Sequence, residues 1–471
     1  MMRNKNKPSL NLLRMGSAKR WSLMGLFAIL MTSCDDFVEI DPPNDQLTGV
    51  VVFDDATTVN AALIHIYTGL RDQALVNGGL SGISFLLGLY TDELDLYSTT
   101  LPDARQFYDN ALLSSNNSVQ DLWGNGYNLI HATNAIIEGL KGSTALPQDD
   151  RDHFLGEAHF LRAFTHLHLT GLFGELPYLE TTDYVANSEA EKEEVHSVFS
   201  KVIADLERAK TLLPMNAGSE KVRPDRWTAS AILARVHLYN GQWEQAWAEA
   251  FDIITNGSYS LNTNLEQVFL NDSPETLWQF SVGSTGANTY EGHTFIFTSG
   301  PPPTTALSDH LMGAFEEGDA RKVQWIASIT DGTDTWYHPN KYKLNTNSGT
   351  TQEQSIVIRL AELYLIASEA QAHLGNLDEA LNYLNPIRER AGLDPLGMMG
   401  QSDLLDAIQQ ERRVELFTEH GHRFFDLKRT ERANSELSDT KPNWEARDVQ
   451  LPLPESEILL NPNLLPQNEG Y

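Results

Sequence analysis

Sixty-four Asp and Glu, fourteen His and one Cys are the side chains of this 471-residue sequence that could carry acid–base, metal or thiol chemistry. With so many carboxylates, some pair falls near glycosidase spacing by accident, and nothing singles out a raised-pKa acid beside an ionised partner. His166 and His168 stand two apart on a helical stretch and point to different faces, so they make a poor ligand pair. His420 and His422 would suit a metal in an extended segment, but no third ligand is near them in sequence. There is no His-Glu-x-x-His, Gly-x-Ser-x-Gly, phosphate-loop or EF-hand pattern. One stretch, Glu411-Arg412-Arg413 through Glu415 to Arg423-Phe424-Phe425-Asp426-Leu427-Lys428-Arg429, is dense in charge beside aromatics. It could be an anion site. The reading we favour is guanidinium forks paired with Glu411, Glu415 and Asp426, tying the last helix to the body. No catalytic residue, metal or cofactor is implied, and a protein that does no chemistry is the leading expectation.

The lone cysteine points elsewhere. Arg3, Lys5, Lys7, Arg14, Lys19 and Arg20 precede an apolar run from Trp21 to Met31, and no acidic residue occurs before Asp35. That is a signal-peptide layout, with a run too short for a bilayer core, which takes ~20 apolar residues. Leu30-Met31-Thr32-Ser33-Cys34 follows and resembles a lipobox, which predicts cleavage after residue 33 and lipidation of Cys34. The competing reading is ordinary secretion with a buried free thiol. Residues 34–46, with Pro42 and Pro43, are polar and cannot continue a helix past the prolines, so they read as a tether. Multiple acyl chains on one residue anchor firmly, at ~0.8 kcal/mol per buried methylene. The membrane would thus be met through the lipid alone.

The remainder, 47–471, has the composition of a folded body: 41% of the whole chain is apolar and 21% charged. Its 34 Lys and Arg against 64 acidic residues give a net charge of -30, and no basic stripe occurs beyond residue 20, which excludes nucleic acid as a partner.

Helical periodicity dominates this body. Val195, Val198, Phe199, Val202, Ile203 and Leu206 form one apolar stripe, ended by Pro214. Ala229 to Tyr239, then Asn240-Gly241, then Trp243 to Ile254 read as a helical hairpin. Leu360 to Leu374, Gly375-Asn376, and Leu377 to Ile387 repeat it, with Pro386 placed to kink or shorten the second helix. Superimposing the two puts Gly241 on Gly375, Trp243 on Leu377, Ala246 on Ala380 and Ala234 on Ser368. The pattern resembles tetratricopeptide repeats, but the copies lie 134 residues apart, so long insertions separate them and a simple open solenoid is not expected. Further helices are expected at Ala56 to Arg71, Val119 to Leu140, Arg151 to Leu172 and Ser402 to Glu419. Insertions near 73–118 and 256–350 read as loops with short strands, such as Leu277 to Phe280 and Phe295 to Phe297. Residues 434–471, with five prolines, read as an irregular C-terminal wrap. The fold class is mainly α: tetratricopeptide-like hairpins with long loop-rich insertions.

Several runs, taken together and in order, resemble the SusD/RagB family of outer-membrane nutrient-binding lipoproteins. They are Leu122-Trp123 to Asn134, Gly156-Glu157-Ala158-His159-Phe160-Leu161-Arg162-Ala163, Leu172 to Pro177, Arg226-Trp227-Thr228, Arg359-Leu360-Ala361-Glu362, Arg388 to Leu393, Glu411 to Arg429, and Asn461-Pro462-Asn463 through Gln467 to Tyr471. The resemblance implies a SusD-like α fold, a ligand-binding face built from inserted loops, and a SusC-like TonB-dependent transporter as partner. The ligand it implies is a nutrient, usually an oligosaccharide. Acidic residues after Cys34 also resemble the surface-export signal of these lipoproteins, although a solvated linker would look the same. Peptide capture, as in RagB-like members, and a surface glycan hydrolase are the alternatives.

If the ligand is a sugar, exposed aromatic rings edged by polar groups should hold it. The insertions offer Tyr97, Phe107 and Tyr108 with Asp95 and Arg105 in one, and Tyr290, Trp325, Trp336 and Tyr337 with Asn340 in the other. The same rings could instead plug the junction between loops and helices. Trp336-Tyr337, beside Gly332 and Pro339, are the pair expected to be exposed, whereas Trp227, Trp243 and Trp247 fall on helical stripes and are expected in the core.

Overall fold

The structure is a computed structural model and describes residues 52–471. Cys34, the leader and the tether fall outside the described residues.

Helix α1 (Ala56–Asp72) begins where the Asp55 carboxylate accepts from the backbone N–H of Thr57 and Thr58, and it buries Val59, Leu63, Ile66 and Leu70 along one face. Helix α2 (Ile83–Tyr90) is buried on every side, and α3 (Pro102–Tyr108) starts on a proline that needs no hydrogen bond there. The long pair α4 (Asn117–Gly142) and α5 (Gln148–Phe173) forms the middle of the scaffold, each reaching beyond the apolar period that marks it in sequence. Helix α6 (Val195–Leu212) packs on α5. Then come α7 (Arg226–Tyr239), α8 (Trp243–Asn256), α9 (Leu360–His373), α10 (Leu377–Arg390), α11 (Gln401–Glu415) and α12 (His422–Arg429).

From α4 to α10 each helix lies against the next in chain order, including α8 against α9 across the long insertion. Both hairpin turns place glycine in the left-handed region, Gly241 at φ 67° and Gly375 at φ 82°, where a Cβ would be strained. Ala234, Ala246, Ser368 and Ala380 are all fully buried, and the Ser368 hydroxyl donates to the Ala380 carbonyl at 2.8 Å. Small residues at these positions let the helices approach closely.

Four details depart from expectation. Helix α10 runs through Pro386 to Arg390. Helix α11 stops at Glu415, because Thr418, His420 and Gly421 turn to positive φ while Glu419 reaches to Arg359 and Lys341. Phe295 ends a short helix, Tyr290–Phe295, rather than opening a strand. Trp243 and Trp247 are only half-buried at the scaffold edge, where Trp243 lies flat on His373 at 3.9 Å between centroids.

The motif residues are scaffold. Arg162 on α5 donates to both oxygens of Asp205 on α6 at 2.7 Å and to Asn134 on α4 at 2.9 Å, joining three helices through one buried guanidinium. Arg321 meets Asp319, Glu411 and Glu415 at 2.6–2.9 Å, while Arg359 and Arg390 share Glu275 and Glu415. Arg412 and Arg429 hold Asp426, and Arg423 holds Asp92 at 2.9 Å. Within the charge-rich run from Glu411 to Arg429 only Asp426 pairs internally, while Glu411, Glu415 and Arg423 reach Arg321, Arg359, Arg390 and Asp92 outside it and so tie the insertions to α11 and α12. Burying so many charges is tolerable only because each has a partner. His420 has a structural role as well: its Nε2 donates to the Ile356 carbonyl at 2.8 Å.

Among the described residues, six short strands form three antiparallel pairs. Strands β2 (Thr276–Phe280) and β6 (Ser355–Arg359) are buried throughout and close the base of the second insertion just before α9. Strand β1 (Leu94–Leu96), from the first insertion, pairs with β3 (Thr305–Leu307) from the second, and β4 (Ile326–Thr330) with β5 (Thr335–Pro339) makes a hairpin leaning on β3. The C-terminal segment lies over the helices: Leu451 N–H donates to Leu172 O, and Asn468 Nδ2 donates to Phe173 O.

Candidate ligand-binding site

The β1–β3 pairing is what brings the two loop insertions together. Its register sets Asp95 opposite Ala306 and Leu96 opposite Thr305. Strand alternation sends Leu94 and Leu96 inward, where both are buried, and leaves Asp95 and Tyr97 on the opposite side. The N–H groups of Tyr97 and Ser98 both donate to the Thr304 carbonyl, at 2.8 and 3.1 Å, fixing the chain where the Tyr97 ring emerges.

Trp336 arrives from β5, where it stands across from Ile329. The tip of that hairpin is pinned by Asp331, whose Oδ1 accepts from Thr333 N at 2.8 Å and Asp334 N at 2.9 Å. The indole lies against the backbone at Gly300. A Cβ there would fall 2.0 Å from Trp336 Cζ3, so only glycine admits the ring in this position. Trp336 also lies beside the Tyr97 hydroxyl. Burial and the Asp95 carboxylate push the Tyr97 phenol up, partly offset by Trp336, and Asp309 and Asp334 add to the push. The result is two rings from distant parts of the chain, edged by Asp95, Asp309 and Asp334. Tyr97 is 39% exposed and Trp336 is half-buried.

Tyr108 and Arg105 sit behind this ledge as supports. The Tyr108 hydroxyl donates to Asp95 Oδ1 at 3.1 Å, and burial together with that carboxylate pushes its pKa up to about 12. Arg105 Nη2 donates to the Leu96 carbonyl at 3.3 Å, with its guanidinium 5.1 Å from the Tyr108 centroid. Lys441, from the C-terminal wrap, lies 4.2 Å from the same ring and is pulled down to about 8 by burial.

Other expected site residues are placed differently. Trp325 is fully buried, its Nε1 donates to the Leu265 carbonyl at 2.9 Å, and Phe269 meets it edge-on. It is core, because a buried indole needs an acceptor and finds one there. Phe107 is likewise fully buried. Tyr337 alternates to the side opposite Trp336 and packs on the core, so only one ring of that pair belongs to the ledge. Asn340 serves the turn: its N–H donates to Trp325 O at 2.7 Å and its carbonyl accepts from Lys343.

Tyr290 lies in a cavity of about 360 Å³ that shares no lining residue with the ledge. Arg71, Asn288, His293, Asn345 and Asn347 line it with the tyrosine. None of these five stood out in sequence. The run Asn345-Thr346-Asn347 reads only as loop, and Arg71 ends a helix where basic residues are commonplace.

Comparison with known proteins agrees with the fold. Residues 279–471 match the family model described as the SusD family, and residues 84–238 match one described as "Starch-binding associating with outer membrane". The chain is 28% identical to SusD-like protein P2 of Formosa agariphila over 85% of its own length and 92% of that relative's. Among solved structures, a SusD superfamily protein from Bacteroides vulgatus superposes with a TM-score of 0.79 at 22% identity, covering 88% of this chain and 99% of the other. A laminarin binding SusD-like protein superposes with a TM-score of 0.73 at 24% identity, covering 88% and 99%. Two successive family matches, and a helical scaffold shared across nearly the full length of these relatives, lead to one assignment: the chain belongs to the SusD/RagB family.

Proposed function

We propose that this protein captures glycan at the cell surface and delivers it, unaltered, to a SusC-like TonB-dependent transporter. The observation that carries the reading is the meeting of Tyr97, held by the β1–β3 pairing, and Trp336, held by the β4–β5 hairpin, the first exposed and the second half-buried beside hydroxyl and carboxylate groups. Pyranose rings present apolar faces that stack on such aromatics while their hydroxyls bond at the edge. A structural neighbour named for laminarin binding and a family description naming starch and the outer membrane support the same ligand class and location. In this reading residues 1–33 are removed, Cys34 carries the lipid, 34–46 tether the body 47–471 to the outer membrane, and Tyr108 and Arg105 brace the ledge.

Affinity electrophoresis against a polysaccharide panel, with product analysis of the same mixtures, tests this. Retardation without new reducing ends is expected, whereas cleavage would favour a hydrolase. The acidic edge formed by Asp95, Asp309 and Asp334 favours a second reading, capture of cationic peptides, which a basic peptide in the same assay would reveal.

A further inference from the structure

We infer that the cavity around Tyr290 is a second saccharide subsite, separate from the Tyr97–Trp336 ledge and selective for uncharged sugar. It goes beyond the ledge reading, since either position could bind without the other.

Three features argue for it. Tyr290 is 46% exposed, with its hydroxyl towards Asp72, and its ring stands over a cavity of about 360 Å³. The walls of that cavity are cross-linked by hydrogen bonds. Asn288 Nδ2 donates to Thr346 O at 3.1 Å and Ser348 Oγ at 3.0 Å, while its Oδ1 accepts from Gln352 N and Glu353 N. Ser348 N–H donates to the carbonyl of Gly286, where a Cβ would fall 2.2 Å from Ser348 O, so the two loops are locked edge to edge. A prearranged site of this kind loses little on ordering when it binds. Finally, Asn345 and Asn347 line the same space and make no side-chain hydrogen bond among the described residues. Planar amides with both donor and acceptor free match the vicinal hydroxyls of a sugar stacked on Tyr290.

The preference for uncharged ligand follows from Arg71. Its Nε and Nη2 bind the two oxygens of Asp72 at 2.5 and 2.7 Å, and Nη1 donates to Ser281 O at 2.8 Å. The charge of Arg71 is therefore offset by Asp72 and three of its five N–H donors are engaged, so this guanidinium offers little to a uronate or sulfate.

Retardation of wild type, Trp336→Ala, Tyr290→Ala and the double variant is measured in gels containing neutral glucans, starch or mannan, and in gels containing a polyuronate. Asn345→Ala serves as a second cavity variant, and thermal melts confirm that each variant folds. The inference expects Tyr290→Ala to weaken retention of at least one neutral polymer about tenfold. It also expects the retention left in Trp336→Ala to vanish in the double variant, with Asn345→Ala acting in the same direction. Unchanged retention in both Tyr290→Ala and Asn345→Ala overturns it while leaving the ledge reading intact. Loss in Tyr290→Ala with none in Trp336→Ala sustains it and removes the ledge. Tyr290-dependent retention by the polyuronate overturns the uncharged class, and failure of wild type to bind any polymer overturns both readings.

Discussion

Arg235 on α7 and Glu362 on α9 meet as a buried bidentate pair at 2.7 and 2.6 Å, bridging two helical hairpins whose sequences are separated by the whole second insertion. The guanidinium holds the Glu362 carboxyl below its usual range despite burial, which acts in the opposite direction. Arg235→Ala leaves that carboxylate buried without its bidentate partner, so a loss of about 3–5 kcal/mol is expected by urea or thermal unfolding. The double substitution Arg235→Met with Glu362→Leu should recover much of the loss. If the single variant unfolds like wild type, the pair does not join the hairpins.

Trp325 and Trp336 lie eleven residues apart and should respond oppositely to truncation. Trp325→Ala opens a hole in packed core and is expected to cost about 3–5 kcal/mol. Trp336→Ala should leave the melting temperature nearly unchanged while abolishing most retardation at the ledge. Gly300→Ala offers an independent check, since its methyl group displaces the indole without touching the indole's chemistry. Weakened retention in that variant, with normal stability, is the expected outcome.

Burial pushes Glu93 and Glu291 up to about 7, and Glu291 has one oxygen without a partner while the other accepts from the Ser355 hydroxyl. A carboxyl raised in the folded state binds its proton more tightly there than when unfolded. Its contribution is full below the unfolded value near 4.5, declines as pH rises towards 7, and is flat above. Glu419 and Asp426 behave in the opposite way: they are lowered to about 2 by Arg359 and Arg412 against the effect of burial, and their stabilisation fades as pH falls below about 4. Glu291→Gln should therefore flatten the fall in stability between pH 4.5 and 7 and leave the acid limb unchanged. Melting curves across pH 3–8 measure both limbs.

Cys34→Ala should shift the protein from the membrane fraction to the soluble one, detected by fractionation of producing cells. Persistent membrane residence in that variant would contradict the lipid anchor. Among the described residues no helix is long and apolar enough to cross a membrane.

The scaffold was legible in sequence because its rules are local. A 3.6-residue apolar period and a turn glycine need only neighbours along the chain, and Gly241 and Gly375 mark both hairpins correctly. The site was legible only as a set of rings. Tyr97 meets Trp336 through the pairing of Leu94 with Leu307, a contact more than two hundred residues apart that no window of sequence contains. Trp325 and Trp336 fall in the same loop-rich insertion, and what separates them in the fold is the Leu265 carbonyl waiting for one indole and the Gly300 backbone under the other. The free amides of Asn345 and Asn347 were invisible for the same reason: composition marks a loop, and only the fold says what the loop surrounds.

Because β2 and β6 lie side by side, residues 281–354 depart from the helical frame and rejoin it at a single doorway. Lengthening a closed loop costs only logarithmically, about 0.6 kcal/mol per doubling. Outer loops could thus be exchanged beyond that doorway while Arg321 and Trp325, which lock the insertion to the frame, stay in place, giving one chassis a new appetite.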